Sequence, residues 1–292
     1  MNKRRFIQIL STILHNGYIN SIFTYNIYTG FLKKFCAPGL NCHSCPASFF
    51  GCPLGILQNF LISIRVLSLQ VFLGALFYIT GFFFLFGFAL GRFICGWLCP
   101  FGFLQDLIYK IPFFKKNIIL PFQIQRYFKY IILIIFIFII PLFVITDLGY
   151  GILGFCKYLC PAGTLEGGYL NLLLHKNLRT LVGTIFYLKS LILVSIFLLC
   201  IIDLRFFCKN LCPLGLIYGF FNRFCFLKLS FNPDRCTSCK ICENICPSNL
   251  SIPDQLNSVD CFRCLNCMQI CPTQAINLNI GKINELSCNK IK

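Results

Sequence analysis

Two stretches near the carboxyl end repeat one cysteine spacing: residues 236–247 read CTSCKICENICP, and residues 261–272 read CFRCLNCMQICP. Each stretch follows the pattern C-x2-C-x2-C-x3-C-P. Three thiols of each stretch lie close together in the chain, and the fourth stands just before a proline. This doubled pattern decides how the end of the chain folds, because thiols this dense must be bound by a common centre or paired with one another.

The doubled spacing is typical of bacterial domains that bind two iron–sulfur clusters, in which the fourth cysteine of each run binds the cluster of the other run. We expect one [4Fe-4S] cluster to be bound by Cys236, Cys239, Cys242 and Cys271. We expect the other to be bound by Cys261, Cys264, Cys267 and Cys246. A pair of zinc knuckles or a disulfide scaffold is the alternative, but zinc sites usually separate two C-x2-C pairs by a longer loop.

The cysteine runs lie between two segments that alternate like strands, residues 227–231 and 275–278. We therefore predict an α+β ferredoxin domain of the bacterial 2[4Fe-4S] type over residues 227–280, followed by a tail over 281–292. Such a small unit has little hydrophobic core. Cluster ligation should supply much of its folding free energy.

The composition excludes an ordinary soluble protein. Hydrophobic residues make up 57% of the 292 residues and charged residues only 12%, which predicts a chain embedded in membrane lipid. The net charge of +17 would suggest a nucleic-acid partner in a soluble protein. Here the basic residues flank apolar runs, where they act as topology determinants, so no nucleic acid is expected.

Residues 1–226 are predicted to form an integral membrane α-helical domain with four transmembrane helices. A helix needs about 20 apolar residues to cross the hydrocarbon. The predicted spans lie near residues 6–32, 69–94, 130–145 and 181–202. The first is rich in amides and hydroxyls, and a helix lying on the membrane surface is its alternative.

A second cysteine pattern, C-x3-C-P, recurs at predicted membrane edges: residues 95–100 read CGWLCP, 156–161 read CKYLCP and 208–213 read CKNLCP. Cysteines four residues apart lie on one face of a helical turn, so two such pairs could close a four-thiolate site. The pairs that follow the second and fourth spans fall on the same side as the ferredoxin domain. We expect one further cluster to be shared by Cys95, Cys99, Cys208 and Cys212.

Six other cysteines fall on the opposite side in this topology. They belong to residues 36–55, CAPGLNCHSCPASFFGCPLG, and to the remaining C-x3-C-P pair. The six are Cys36, Cys42, Cys45, Cys52, Cys156 and Cys160. They suffice for one more cluster with two thiols remaining, and a disulfide-stapled loop or redox-active dithiols are the alternatives.

The basic residues predict the orientation of the chain in a cytoplasmic (inner) membrane. The loop between the second and third spans and the region after the fourth are rich in lysine and arginine, including Arg205 and Lys209. The positive-inside bias places both in the cytoplasm. A multi-pass protein with a cytoplasmic ferredoxin domain follows.

Four spans, C-x3-C-P after the second and fourth, and a terminal double-cluster domain together resemble the NapH family, the membrane ferredoxin subunits of periplasmic nitrate reductase systems. The NosR and CcoG groups share this core. The resemblance implies that Cys95, Cys99, Cys208, Cys212 and the eight terminal cysteines bind clusters, and that electrons pass from quinol toward a periplasmic ferredoxin and reductase. Residues 36–55 and the Cys156/Cys160 pair depart from the NapH pattern, which weakens the nitrate-specific role.

These patterns predict an iron–sulfur electron-transfer protein that relays electrons between a quinol or cytoplasmic donor and a redox protein at the outer membrane face. That protein would be a ferredoxin, a flavoprotein or a reductase subunit, and this chain would be a quinol dehydrogenase component without catalytic side chains of its own. The iron of each cluster would be held through the cysteines named above. An accessory redox sensor, or a maturation factor for a partner metalloenzyme, is the alternative. For a quinol site, His15, Tyr18, Asp147 and Asp203 are candidate proton acceptors.

Overall fold

The computed structural model describes residues 3–113 and 122–280. Its first part is helical, with a long loop between the second and third helices. The α-helices up to the first gap are α1 (Lys3–Asn16), α2 (Asn20–Thr24), α3 (Pro53–Ser63), α4 (Leu69–Leu90), α5 (Phe93–Trp97) and α6 (Pro100–Ile108). A short 3₁₀ turn over Phe31–Lys34 begins the loop, which carries the first four cysteines.

The second part contains one long α-helix and several short ones. Its helices are α7 (Phe122–Ile131), α8 (Ile140–Phe143), α9 (Gly154–Tyr158), α10 (Leu170–Leu174), α11 (Thr184–Ile202), α12 (Phe206–Asn210), α13 (Pro213–Phe220), α14 (Ile241–Asn244) and α15 (Asn266–Ile270). π-helical segments over Ile132–Ile139 and Gly163–Tyr169 lead into α8 and α10. 3₁₀ turns cover Lys176–Leu181, Phe221–Arg223 and Pro233–Arg235.

Two helices in the described residues are long and apolar enough to cross a membrane: α4 and α11. Only 17% of the apolar window of each is buried, so neither is the core helix of a soluble protein, and their exposed phenylalanine and leucine side chains fit contact with lipid. The chain is therefore membrane-associated. The apolar helix over Tyr127–Phe143 falls short of span length, and the predicted count of four spans is not confirmed.

The predicted span over residues 6–32 is not one helix. The helix α1 ends at Asn16, and the amide of Tyr18 then donates to the carbonyl of Ala47, in the cysteine-bearing loop. The helix buries polar side chains, among them Gln8 and Ser11, and exposes apolar ones such as Ile13. Its amphipathic pattern is thus inverted relative to a soluble protein, because it packs its polar face on the other helices.

The carboxyl-terminal unit contains the two predicted strands. Strand β1 (Leu227–Phe231) pairs antiparallel with β2 (Ile276–Ile280), with Leu229 opposite Leu278. The cysteine runs and the short helices α14 and α15 lie between the strands. The buried residues of this unit are few and include Trp97, which enters from the membrane part. The unit therefore has little core of its own and packs directly on the helical part.

A single buried core joins most of the membrane part. It contains cysteines from several segments together with Leu40, Tyr218 and Phe262. The same interior buries arginine and lysine side chains, including Arg92 and Arg205, which are at most 1% exposed. Buried charges require partners, and here they surround the cysteines.

Candidate iron–sulfur sites

The structure brings the crossed cysteine sets of the ferredoxin domain together. One cavity is lined by Cys246, Cys261, Cys264 and Cys267. A second is lined by Cys236, Cys239, Cys242 and Cys271. In each cavity, three thiols come from one run and the fourth from the other, as the crossed spacing predicts.

The two cavities differ in their access to solvent. Cys236 and Cys239 are exposed, whereas Cys267 is buried and the remaining thiols of both sets are partly covered. The set around Cys236 therefore lies at the surface of the ferredoxin domain. The set around Cys267 faces the membrane part.

The loop between Cys261 and Cys264 docks on the first C-x3-C-P motif. The indole of Trp97 donates to the carbonyl of Arg263 over 3.1 Å. The carbonyl oxygen of Phe262 lies 2.7 Å from where a Cβ atom on Gly96 would stand, so only glycine allows this approach. The Phe262 side chain is buried in the same core as Cys95 and Cys208. The loop that carries Cys261 and Cys264 is thus in direct contact with the Cys95–Cys99 motif.

Four thiols of the membrane part form a buried set: Cys95, Cys99, Cys208 and Cys212, each at most 6% exposed. Cys99 and Cys212 precede α6 and α13, and their sulfurs accept from the amides of Gly102 and Gly215, both at 3.4 Å. Burial raises the pKa of Cys95 to about 11, and the neighbouring Cys208 thiol contributes to the rise. Burial also raises the pKa of Cys212, with Cys208, Cys95 and Cys99 adding to it. The four thiols therefore lie close enough to interact electrostatically.

Two arginines connect the two motifs that supply this set, because each donates a hydrogen bond to the motif that follows the other arginine. Arg92 donates through Nη2 to the carbonyl of Cys208 over 2.7 Å, and Arg205 donates through Nη1 to the carbonyl of Cys95 over 2.7 Å. The guanidinium of Arg92 also lies 4.4 Å from the ring centroid of Phe262, and that of Arg205 lies 5.8 Å from it. Both cations are therefore held beside the four thiols.

A polar network fixes these cations and one of the sulfurs. Arg205 forms a bidentate ion pair with Asp106, at 2.6 and 2.7 Å, and Arg4 of α1 binds the same carboxylate at 2.8 Å. Gln105 donates through Nε2 to the sulfur of Cys208 over 3.0 Å. A donor to sulfur and nearby positive charge both favour a more negative, reduced cluster.

The loop that carries Cys36, Cys42, Cys45 and Cys52 does not lie a full span away from this set, which corrects the predicted position of these four cysteines. The amide of Leu40 donates to the sulfur of Cys99 over 3.4 Å, and the amide of Cys36 donates to the hydroxyl of Tyr78, within α4. The loop folds into the helical bundle because its apolar residues Ala37 and Leu40 are buried there. The sequence alone places this loop at the opposite boundary.

Four of the six outer thiols influence one another. Burial raises the pKa of Cys156, and the Cys52 and Cys42 thiols raise it further. Burial likewise raises the pKa of Cys160, and Cys156, Cys52 and Cys42 add to that rise. Cys36, which is outside these four, interacts electrostatically with Cys52. Cys45 interacts electrostatically with Cys42, Glu166 and Lys33. No disulfide joins any of these six cysteines within the described residues.

Across residues 3–113 and 122–280, no three His, Cys, Asp or Glu side chains are grouped closely enough to hold one metal ion. One buried polar group fits a cluster beside the four-thiol set. The buried hydroxyl of Tyr218 has no hydrogen-bond partner among the described residues and interacts electrostatically with Cys95, Cys99 and Cys52, so an acceptor such as a cluster sulfur would satisfy it.

Sequence reasoning missed the second layer of residues around the thiols. It treated Arg205 and Lys209 as topology signals, but both are buried, and Lys209 pairs with Asp203. The repeat could have identified the buried arginines, since residues 92–95 read RFIC and residues 205–208 read RFFC, with an arginine three residues before the first cysteine of each motif.

Of the candidate quinol ligands, Asp203 is engaged by its ion pair with Lys209. His15 lies against Ser11, at the interior face of α1.

The chain is similar to known iron–sulfur proteins. A family model described as a 4Fe-4S binding domain matches residues 71–121 and 187–232, and a second model with that description matches residues 229–250. No solved structure matches the chain.

Three relatives are similar in sequence. MJ0750 of Methanocaldococcus jannaschii is 30% identical over 87% of this chain and 90% of its own length. MJ0749 of the same organism is 31% identical over 66% of this chain and 66% of its own length. YccM of Escherichia coli, named as an electron transport protein, is 28% identical over 61% of this chain and 48% of its own length.

Proposed function

Because this chain belongs to the NapH/NosR-like family of membrane-associated 4Fe-4S ferredoxin-type proteins, we propose that it relays electrons along a row of clusters. The row runs from the ferredoxin domain into the helical part. The observation that carries this proposal is the docking of Phe262 and Arg263, which follow Cys261, onto the Cys95–Cys99 motif. Bound clusters supply the one-electron chemistry, and the protein supplies position and electrostatics.

The order of the sites follows from their burial and contacts. The exposed thiols Cys236 and Cys239 mark the surface end, where a soluble redox partner can approach. The set around Cys267 comes next and shares the Phe262 contact with the membrane set. The buried set around Cys208 then lies at the ends of α4 and α11, the helices long enough to cross the bilayer.

The charges around the membrane set favour electron storage there. The buried cations Arg92 and Arg205 offset the negative charge of four thiolates and their cluster. Their arrangement around Cys208 is the electrostatic contribution expected of a protein that tunes a reduction potential by burial and hydrogen bonds. We propose a quinol, or a donor on the ferredoxin side, as the electron source and a redox protein at the other membrane face as the acceptor.

We propose that the ferredoxin domain lies in the cytoplasm, at the inner membrane. The basic loops support this orientation by the positive-inside bias, although the burial of Arg205 and Lys209 removes two of the charges that it counts.

The relay is tested with anaerobic protein in lipid nanodiscs. A quinol is added on its own, and bleaching of the cluster absorbance is followed in the unaltered chain and in Cys95→Ser. We expect reduction of the ferredoxin clusters by quinol in the unaltered chain and its loss in Cys95→Ser, while dithionite still reduces the ferredoxin clusters in both. The proposal fails if neither a quinol analogue nor a reduced ferredoxin exchanges electrons with the unaltered chain, a result that favours the sensor or maturation role.

A further inference from the structure

We propose that Cys42, Cys52, Cys156 and Cys160 bind a further [4Fe-4S] cluster inside the helical bundle, and that Cys36 and Cys45 remain free thiols. This inference rests on the proposed function, because it extends the same row of clusters by one site. It selects four ligands from six cysteines.

The proposed site repeats the construction of the buried set around Cys208. Residues 52–55 read CPLG and residues 160–163 read CPAG, as residues 99–102 and 212–215 read CPFG and CPLG. Cys52 precedes α3 with the same extended backbone (φ −81°, ψ 129°) that Cys99 has before α6 (φ −76°, ψ 117°). The sulfur of Cys160 accepts from the amide of Gly163 over 3.2 Å. Two of the four ligands in each site therefore stand at the start of a helical segment, within the same local sequence.

Contacts between the segments bring the other two thiols to these caps. The amide of Cys156 donates to Oε1 of Gln58, on the helix that Cys52 begins, over 3.0 Å. The amide of Cys42 donates to Oε2 of Glu166 over 2.7 Å. The sulfur of Cys42 lies 2.7 Å from where a Cβ atom on Gly167 would stand, so the glycine leaves room for this thiol next to the segment that follows Cys160.

The two excluded cysteines lie next to the site, but their backbones are engaged with residues outside it. Cys36 bridges Gly51 in a short parallel pairing, and its amide donates to the hydroxyl of Tyr78. The carbonyl of Cys45 accepts from the ammonium of Lys33 over 3.4 Å. Cys36 interacts electrostatically with Cys52, and Cys45 with Cys42, so each of the two lies beside one proposed ligand.

Charge and connection both support a redox centre here. The ammonium of Lys189, within α11, donates to the carbonyl of Cys156 over 3.1 Å, which places a cation beside the site as Arg205 does beside Cys95. The loop that carries Cys42 also contacts Cys99 through the amide of Leu40. A single residue, Asn41, therefore separates a contact with one thiol set from a ligand of the other, and electrons have a short path between them.

The test is an iron and acid-labile sulfide count with Mössbauer spectra on anaerobically purified, full-length variants. Cys42→Ser and Cys156→Ser are compared with the matched variants Cys36→Ser and Cys45→Ser. We expect each of the first two to lose about four irons per chain and each of the second two to lose none. Unchanged spectra of the ferredoxin clusters identify variants that have folded, and if Cys156→Ser does not fold, Cys42→Ser in the loop decides.

The inference is overturned if Cys42→Ser keeps its full iron content, if Cys36→Ser or Cys45→Ser loses about four irons, or if zinc replaces iron at the site. These outcomes differ from a failure of the proposed function, in which the unaltered chain would carry clusters without exchanging electrons with quinol or with a reduced ferredoxin. The iron count does not depend on any electron-transfer assay.

Discussion

Arg92 and Arg205 each bind the cysteine motif of the other, with Nη2 of Arg92 on the carbonyl of Cys208 and Nη1 of Arg205 on the carbonyl of Cys95, both at 2.7 Å. The exchange locks two copies of one motif into a single four-thiol site. It also places two permanent positive charges in a dry interior, where charge acts over longer distances than at a surface.

Replacing Arg92 by methionine should lower the reduction potential of the membrane cluster. Loss of the buried cation disfavours the extra electron, and we expect a shift of about 60 mV or more, a tenfold change in the one-electron equilibrium. A redox titration followed by electron paramagnetic resonance measures it. Arg65→Met removes the same charge from an exposed position and should shift the potential far less. Equal shifts in the two variants would refute a local electrostatic role.

Gln105→Leu should also lower that potential, because the amide of Gln105 donates to the sulfur of Cys208 over 3.0 Å. A hydrogen bond to sulfur stabilises the reduced cluster more than the oxidised one. Its loss should lower the reduction potential by an amount on the order of 60 mV. Gln70→Leu, an exposed position on α4, is the matched control. A potential that rises or stays constant in Gln105→Leu would contradict the assignment of this donor.

Gly96→Ala should weaken the docking of the ferredoxin domain, since the new methyl group would stand 2.7 Å from the carbonyl oxygen of Phe262. Overpacking against backbone costs about 1–3 kcal/mol, and electron transfer from the ferredoxin clusters into the helical part should slow. Gly81→Ala meets no atom within 4 Å and should leave both stability and transfer unchanged. Thermal unfolding and rapid-mixing reduction kinetics distinguish the two variants.

Removal of iron should unfold the ferredoxin domain before the helical part. The domain has a small core built on Leu229, Leu265 and Ile276, and cluster ligation supplies the missing free energy. Limited proteolysis after anaerobic chelation should cut within residues 227–280 while α4 and α11 stay intact. Equal protection of residues 227–280 with and without iron would show that this unit folds without its clusters.

The sequence was informative where function depends on local spacing. The crossed cysteine sets and the strand β1 follow from residues that are near one another in the chain, and the structure brings both together. The C-x3-C-P spacing also predicted that Cys95, Cys99, Cys208 and Cys212 lie together, because helix-end cysteines four residues apart share a face.

The rest depends on contacts between distant segments. No local pattern places Leu40 against Cys99, 59 residues later in the chain, so the cysteine loop was assigned to the wrong depth. The sequence predicts a span or a surface helix over residues 6–32, whereas the polar face of α1 is buried and Gln8 donates from it to the carboxylate of Asp106. Long-range packing decides both features, and periodicity does not report it.

The measurement that tests the central claim most directly is an iron and sulfide count, with Mössbauer spectra, on Cys208→Ser beside Cys200→Ser. Cys200 is buried nearby and contacts Gln105, but lies outside the four-thiol set. We predict that Cys208→Ser loses about four irons and one cubane signal while Cys200→Ser retains all of them. Identical iron contents and spectra in the two variants would show that the membrane part holds no cluster at Cys208.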